Sequence, residues 1–434
     1  MGNGVDYMTI HVVQPGDTLL SIANRYGVSQ QRIIMDNGLY GLPYLVVGQA
    51  LIILVPATIH TVQPGETLYS IANLYGITPI ILLQRNPNLI RNRQLWVGEQ
   101  ITINFRGEPQ REVSINGYAY PFINRNILQH ALPFLTDFTI FGYGFTVNGD
   151  LIPVNDQELI NLAYQYSAAP ILLLSSITEE GTFSGERASL LFNDIQLQNT
   201  VINHLLDVMK QKGYLGLDID FEYVRQEDSE SFLRFLENAT RQMHENGFRV
   251  NVDLAPKTSS EQAGLLYEAH NYAAIGAIAD TVLLMTYEWG YTYGPPMAVA
   301  PLPNVRQVVS YAVTQIPKEK IMLGIPNYGY NWMLPYERGI TQATTIGNDY
   351  AIRIAAENGV TIQFDQTAQS PFFEYWAQNG RKHIVWFEDV RSIQGKFNLI
   401  TEFGLRGGGY WNLMRPFAQN WALLSQTFSV KKVV

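Results

Sequence analysis

The sequence predicts an α/β protein: two small βααβ domains followed by a (β/α)8 barrel with a small α+β insertion. Three observations carry this prediction. A motif occurs twice near the N-terminus, eight apolar strand-like runs alternate with helical segments behind it, and one connection between the last two runs is too long for a loop.

The repeat places HVVQPGDTLLSIAN at 11–24 and HTVQPGETLYSIAN at 60–73. After the Pro-Gly turn, Asp17 or Thr18 is suited to cap a helix that ends near Gly27. A second helix over 30–36 and a strand over 50–54 complete the unit. Because a stacked solenoid usually needs three or more repeats, two copies predict two independent modules, at 9–55 and 59–104.

The barrel is predicted to occupy 109–434, with clear helices such as 228–246 and 305–316 between its strands. The connection over 331–387 contains further β-like runs at 360–364 and 383–387, and it predicts an inserted subdomain beside the active face. The eight predicted barrel strands are 113–118, 137–143, 170–175, 215–221, 248–255, 281–287, 320–328 and 407–412.

Charge and composition exclude several classes of function. A net charge of −9 argues against nucleic acid as a partner, because phosphate binding needs clustered Lys and Arg. The chain has no cysteine, which excludes disulfides and thiol catalysis. No stretch reaches the roughly 18–20 apolar residues of a membrane span. The first residues, MGNGVDYMTIH, lack the basic and apolar regions of a signal peptide, so we expect no classical secretion signal and no membrane insertion.

The strongest local signal is GYLGLDIDFEYV at 213–224, where Asp218, Asp220 and Glu222 alternate with apolar residues. Strand geometry places these three acids on one face, which points into the lumen of a barrel. Burial and mutual repulsion should raise at least one pKa, as a general acid at neutral pH requires. Glu222 ends the strand, where barrel active sites are built. A solvated edge strand, or a Mg²⁺ or Ca²⁺ site, remains the alternative interpretation.

The repeated unit resembles the LysM module, which binds N-acetylglucosamine in peptidoglycan and chitin. In that family the glycan lies between the loop before the first helix and the loop before the last strand. The resemblance therefore implies two sets of glycan-binding residues: Gly16, Asp17, Thr18 and Leu19, and Gly65, Glu66, Thr67 and Leu68. Two weak sites on one chain would raise avidity. A generic βααβ spacer is the alternative.

The acidic stretch resembles the D-x-x-D-x-D-x-E signature of glycoside hydrolase family 18, with Leu215 in place of the first Asp. The resemblance implies substrate-assisted catalysis with retention and no metal or cofactor. Glu222 would protonate the leaving oxygen and later activate water. Asp220 would orient the substrate's acetamido group, and Asp218 would share a proton or hydrogen bond with Asp220.

Two aromatic segments fit the same site. Tyr287, in Met-Thr-Tyr-Glu, would donate its hydroxyl to the acetamido oxygen, and its neighbour Glu288 replaces the family's Asp. Trp411 would form the floor under the sugar at the cleavage site. Tyr328 and Trp289 are weaker candidates for the rim of the cleft.

Two LysM-like modules in front of a family 18 barrel resemble the spore-cortex-lytic N-acetylglucosaminidases of spore-forming bacteria. The runs that strengthen the resemblance are APKTS at 255–259, LMTYEWG at 284–290, QTAQSPFF at 366–373 and VWFEDVRS at 385–392. It implies an enzyme of the spore coat or cortex that binds peptidoglycan or another N-acetylglucosamine polymer and cleaves cortex peptidoglycan during germination. A chitinase, or a catalytically inactive cell-wall lectin or coat protein, is the alternative.

Overall fold

The computed structural model of the protein describes residues 8–42, 44–107, 109, 111–264 and 267–434. Residues 1–7, which make up most of the segment used to predict that no signal peptide is present, lie outside these ranges.

Each N-terminal module pairs its first and last strands antiparallel, with two helices between them in the sequence. The first module consists of β1 (Met8–Val12), α1 (Leu19–Tyr26), α2 (Gln30–Asn37) and β2 (Ala50–Leu54). The second consists of β3 (Pro56–Thr61), α3 (Leu68–Leu74), α4 (Pro79–Arg85), a 3₁₀ turn (Pro87–Leu89) and β4 (Gln100–Phe105).

The repeated residues have local structural roles. Thr18, rather than Asp17, caps α1: its side chain accepts the Ser21 N–H, and the Ser21 hydroxyl accepts the Thr18 N–H in a capping box. Asp17 instead accepts hydrogen bonds from His11 and from the Gln14 N–H, at 3.0 and 2.9 Å. The second module repeats both arrangements. Most of the repeated residues described here therefore stabilise the fold of each module.

The sequence predicts two independent modules. In the structure, both modules instead dock on the barrel. In the first, the backbone of Val47 bonds to Ile362, and Asn37 accepts a 3.0 Å hydrogen bond from Gln419. In the second, Ile90 O accepts the Tyr166 hydroxyl at 2.9 Å. Apolar residues of the second module belong to the same buried cluster as the barrel. A sequence repeat predicts how each module folds, but it does not predict whether another part of the protein covers the surface of the module.

Eight parallel strands form a closed TIM-type barrel, since the last strand pairs with the first. The barrel strands are β5 (Arg111–Ala119), β6 (Asp137–Tyr143), β7 (Ala169–Ser175), β8 (Gly216–Asp220), β9 (Arg249–Leu254), β10 (Thr281–Leu284), β11 (Ile321–Pro326) and β17 (Gly407–Trp411). Each overlaps one of the eight predicted runs, and the predicted fold class is confirmed. The C-terminal strand β18 (Phe428–Val430), which was not predicted, pairs with β5 outside the ring.

Glycines allow the barrel to close tightly at β17. A Cβ atom at Gly407 would lie 1.8 Å from the Ser114 carbonyl oxygen of β5, and one at Gly409 would lie 2.5 Å from Leu283 Cδ1. The Ser114 backbone leaves room only for glycine at 407, whereas the Leu283 side chain would have to shift to admit a larger residue at 409. The GGGYW strand thus brings Trp411 to the carboxyl end of a closed barrel.

Helices surround the barrel and bury its outer face. They are α5 (Arg125–Ala131), α6 (Gln157–Gln165), α7 (Gly185–Asn193), α8 (Ile195–Lys212), α9 (Ser229–Glu245), α10 (Tyr272–Ile278), α11 (Leu302–Gln315), α13 (Val390–Phe403) and α14 (Ala418–Thr427). Short 3₁₀ turns cover Leu132–Phe134, Gln226–Asp228 and Lys318–Lys320. Within the described ranges, no helix has the length and apolar character needed to cross a membrane.

The insertion between the last two barrel strands is a five-stranded antiparallel sheet with one helix. Its elements are β12 (Gly329–Leu334), β13 (Thr344–Ile346), α12 (Asn348–Glu357), β14 (Gln363–Asp365), β15 (Ser370–Trp376) and β16 (Lys382–Trp386). The β-like runs of the sequence overlap β14 and β16. The other three strands were missed, because aromatic and polar residues interrupt their alternation.

Candidate active site

Two of the three predicted acids are buried in the barrel lumen. Asp218 and Asp220 both lie on β8, with their side chains on the face opposite Leu217 and Ile219, which join the surrounding core. Glu222 lies two residues beyond the end of β8 and is half-buried. The alternation therefore places a ladder of carboxyl groups that leads from the interior towards solvent.

A fourth acid, Asp253 on β9, completes the cluster and was not predicted. The Tyr118 hydroxyl lies 2.8 Å from Asp218 Oδ2 and 2.9 Å from Asp253 Oδ1. The Asn251 amide donates to both carboxyl groups, at 2.7 and 3.0 Å. The signal was available in the sequence, since Asn251 and Asp253 alternate with valine and leucine in the next strand, as the acids of β8 do.

The Tyr118 contacts indicate that the cluster holds a proton. A phenol has one hydrogen to donate, so it satisfies one ionised carboxylate; the second contact requires a carboxyl group that donates to the phenol oxygen. Burial and neighbouring negative charges also favour the protonated form of these carboxyl groups. Burial raises the pKa of Asp218 to about 6, and burial together with nearby carboxylates raises the pKa of Asp220 and Asp253 well above the usual range.

Leu215, at the position of the first family Asp, precedes β8 and is not part of this cluster. Its N–H donates to the Pro170 carbonyl oxygen at 2.9 Å. It has the same strand parity as Leu217 and Ile219, which face the surrounding core. The departure from the family signature therefore leaves the lumenal carboxyl groups in place.

Glu222 has the electrostatic setting of a general acid. Desolvation raises the pKa of its carboxyl group, and the negative charge of Glu288 raises it further. A carboxylic acid whose pKa is raised and which reaches the solvent-facing side of the cluster is suited to protonate a leaving oxygen.

Tyr287 and Glu288 follow β10 at the carboxyl end of the barrel. The Tyr287 hydroxyl lies within the electrostatic reach of several of these acids, and burial raises its pKa well above the usual range, so it remains a neutral donor. Glu288 adopts a left-handed backbone conformation with φ of 67°. Its carboxylate accepts hydrogen bonds from Tyr328 and, at 3.0 Å, from Tyr330. Although Glu288 is exposed as a residue, desolvation of this carboxylate raises its pKa.

The structure corrects the interpretation of Tyr328 as a rim residue. Tyr328 is buried, and its hydroxyl supports Glu288 from below. Trp289 is partly buried against the barrel core. Aromatic identity alone could not separate a residue that lines a cleft from one that holds a carboxylate in position.

Trp411 lies at the end of β17 in a cluster of aromatic rings. Its centroid is 6.1, 5.9 and 5.2 Å from those of Tyr118, Tyr120 and Phe141. Phe122, which is exposed, stacks on Tyr120 at 5.3 Å, and the exposed Phe183 packs on Phe141. We call these rings the aromatic wall. Burial, followed by the negative charges of Asp220 and Glu222, raises the pKa of Tyr120, so the aromatic wall lies close to these two acids. Sequence reasoning found only Trp411 of these rings.

The hydrogen bonds argue against the alternative of a metal site. Both oxygens of Asp218 accept hydrogen bonds. Across the described ranges, no three His, Asp or Glu side chains converge in a way that suits a metal ion.

A cavity of about 920 Å³ lies elsewhere, between the modules and the barrel, and none of the lumenal acids lines it.

The predicted module residues lie on the surface with one exception. Gly16, Thr18, Gly65 and Thr67 are exposed, while Asp17, Leu19 and Glu66 are half-buried. Leu68 is buried and packs into the core, so its side chain is not open to a ligand.

Comparison with known proteins shows the family of the chain. The family model described as Glycosyl hydrolases family 18 matches residues 171–415, and that of the LysM domain matches 11–54 and 60–104. The chain is 41% identical over 431 residues to a cortical fragment-lytic enzyme of Bacillus subtilis (strain 168), covering 98% of this chain and 99% of that one. It is 39% identical over 430 residues to the enzyme of that name from Bacillus anthracis, covering 98% and 99%.

Among solved structures, the Bacillus cereus spore cortex-lytic enzyme SleL superposes with a TM-score of 0.83 at 38% identity, covering 98% of this chain and 99% of that chain. The family model spans more than half of the sequence, and these relatives match it over nearly its whole length. The chain therefore belongs to glycosyl hydrolase family 18, carries two LysM domains and is a homologue of spore cortex-lytic enzymes.

Proposed function

We propose that the protein is an N-acetylglucosaminidase that cleaves spore-cortex peptidoglycan during germination, with retention and with the substrate's own acetamido group as nucleophile. The observation that carries the proposal is the ladder of acids in which only Glu222 reaches towards solvent, above buried carboxyl groups that retain protons. The names of its relatives supply the substrate.

In the first step, Glu222 donates its proton to the glycosidic oxygen. The bond from that oxygen to C1 breaks, and the acetamido carbonyl oxygen bonds to C1 to give an oxazolinium ion. Asp220 is proposed to accept the acetamido N–H. Its Oδ1, which is buried without a hydrogen-bond partner among the described residues, supports this role. Tyr287 donates to the acetamido oxygen, and Trp411 supports the apolar face of the sugar.

In the second step, ionised Glu222 takes a proton from water as the water oxygen bonds to C1 and the oxazolinium ring opens. Asp218 acts through Asp220: the hydrogen bonds from Tyr118 and Asn251 stabilise its charge, and its proximity favours a protonated partner. The LysM region is proposed to hold the same polymer, and we place the enzyme at the spore cortex or coat.

Digestion of cortex peptidoglycan, with chitin oligosaccharides in parallel, tests this function. The native protein should release new N-acetylglucosamine reducing ends from peptidoglycan. Glu222→Gln, which keeps the size of the side chain but removes the proton, should lower the rate by roughly 10²–10⁴-fold. Cleavage of chitin alone would establish a chitinase instead. Binding of both polymers without cleavage would leave a cell-wall lectin.

A further inference from the structure

The two LysM modules differ in what covers one loop. We define the VG loop as residues 46–49 in the first module and 96–99 in the second; it directly precedes β2 and β4. The repeat aligns Val46 with Trp96 and Gly48 with Gly98. This loop forms one side of the groove that the LysM resemblance assigns to the glycan.

In the first module the VG loop is sealed against the inserted subdomain. Val46 is only 3% exposed and belongs to a buried cluster with Ile362 and Phe373. The Ile362 N–H donates to the Val47 carbonyl oxygen at 2.9 Å, and Arg391 donates to the Gly48 carbonyl oxygen at 3.3 Å. A Cβ at Gly48 would lie 1.9 Å from the Ile362 carbonyl oxygen. No sugar ring can enter between surfaces in such contact.

In the second module the corresponding surface is open. Trp96 and Val97 are 64% and 68% exposed, and a Cβ at Gly98 would meet nothing within 4 Å. Tyr69, in the first turn of α3, is 68% exposed, and Leu20 takes its place in the first module. Asn92 and Gln94, which precede the VG loop of the second module, are exposed as well. Flat aromatic faces together with neutral hydrogen-bonding groups suit a pyranose ring.

We infer that the second module alone binds the amino-sugar polymer, through Tyr69, Trp96 and Val97, and that the first module is a brace that fixes the modules to the barrel. The inference rests on the proposed function, because it takes the polymer to be the N-acetylglucosamine-containing one. One site per chain also removes the avidity that a duplicated module would otherwise provide. The predicted contacts at 16–19 are then not used.

Binding without turnover tests the inference. In full-length protein carrying Glu222→Gln, depletion isotherms on insoluble peptidoglycan give the Kd. Tyr69→Ala and Trp96→Ala should each raise the Kd roughly tenfold, which corresponds to about 1.4 kcal/mol for the lost aromatic contact. The matched control is Leu20→Ala, 55% exposed at the position of Tyr69, and it should leave the Kd unchanged.

Equal weakening by Leu20→Ala would overturn the inference, and so would an unchanged Kd for Trp96→Ala. Because no hydrolysis is measured, a failure of the proposed activity does not affect this outcome.

A pair of glycines tests the brace independently. Gly48 and Gly98 have φ of 83° and 87°, so alanine introduces the same backbone strain at either position. Only Gly48→Ala collides with the inserted subdomain. We expect it to lower the Tm further than Gly98→Ala and to increase cleavage by protease at the junction between β2 and β3. Equal losses of Tm, with equal cleavage, would contradict the brace.

Discussion

At the scale of single residues, Glu288 adds to the effect of burial on the pKa of the proposed acid, Glu222. Its negative charge raises the pKa of Glu222, and two tyrosines hold it in place. Because Glu222 must be protonated to act, activity should fall as the pH rises through its pKa. Removing the charge with Glu288→Gln lowers that pKa, so the alkaline limb of kcat/KM should move to lower pH.

The pH profile of kcat/KM measures this shift, since it reports the free enzyme. Glu245→Gln, at an exposed side chain in the last turn of α9, is the control and should leave the limb in place. A limb that does not move in Glu288→Gln would show that Glu288 does not act on the acid.

Asp220 should lower the stability of the fold as pH rises. Burial raises its pKa well above that in the unfolded chain, so the folded state binds more protons and its stability falls with rising pH through this range. Asp220→Asn carries no ionisable proton. We expect its Tm to exceed that of the native protein by an increment that grows from pH 5 to pH 8, while activity falls roughly hundredfold.

Thermal unfolding across this pH range, with the exposed Asp207→Asn as control, checks the increment. A variant that is less stable than the native protein at pH 8 would contradict the electrostatic account of the lumen.

At the scale of elements, α14 joins the first module to the barrel. The buried Gln419 amide donates to Asn37 Oδ1 and, at 2.6 Å, to the Ala50 carbonyl oxygen. Gln426, on the same helix, makes an exposed hydrogen bond to the Arg106 carbonyl oxygen at 2.9 Å. Gln419→Ala should reduce the free energy of unfolding by about 1–3 kcal/mol, because a buried acceptor loses its donor.

Gln426→Ala should reduce the free energy of unfolding by less than about 0.5 kcal/mol, because water can replace its exposed hydrogen bond. Denaturant titration gives both values. Equal losses would show that α14 does not anchor the module.

The strands of the barrel could be predicted because buried parallel strands are continuous apolar runs with short polar interruptions. The alternation of β8 gave the three acids directly. Asp253 was missed although it alternates with apolar residues, because its role depends on β9 lying beside β8 in the closed sheet. Tyr118 was missed because it reaches these acids from β5, which is not adjacent to β8 or β9. The docking of the modules was missed because Val46 and Gly48 are common residues for a repeat loop, whose burial depends on Ile362, more than 300 residues away.

At the scale of the whole molecule, the shared core of the second module and the barrel predicts cooperative unfolding. Independent modules would melt separately, whereas modules that share buried clusters should unfold with the barrel. Differential scanning calorimetry of the full chain should therefore show one transition with equal calorimetric and van't Hoff enthalpies. Two or three resolved transitions would contradict the docked arrangement.

The central claim is that the lumenal acids support attack by the substrate's acetamido group, with Glu222 as the acid. Proton NMR of cortex fragments during cleavage, recorded before mutarotation, tests it most directly. The account predicts that the new N-acetylglucosamine reducing end first appears as the β anomer, and that no such signal forms with Glu222→Gln. First appearance of the α anomer would mean inversion and would contradict the proposed mechanism.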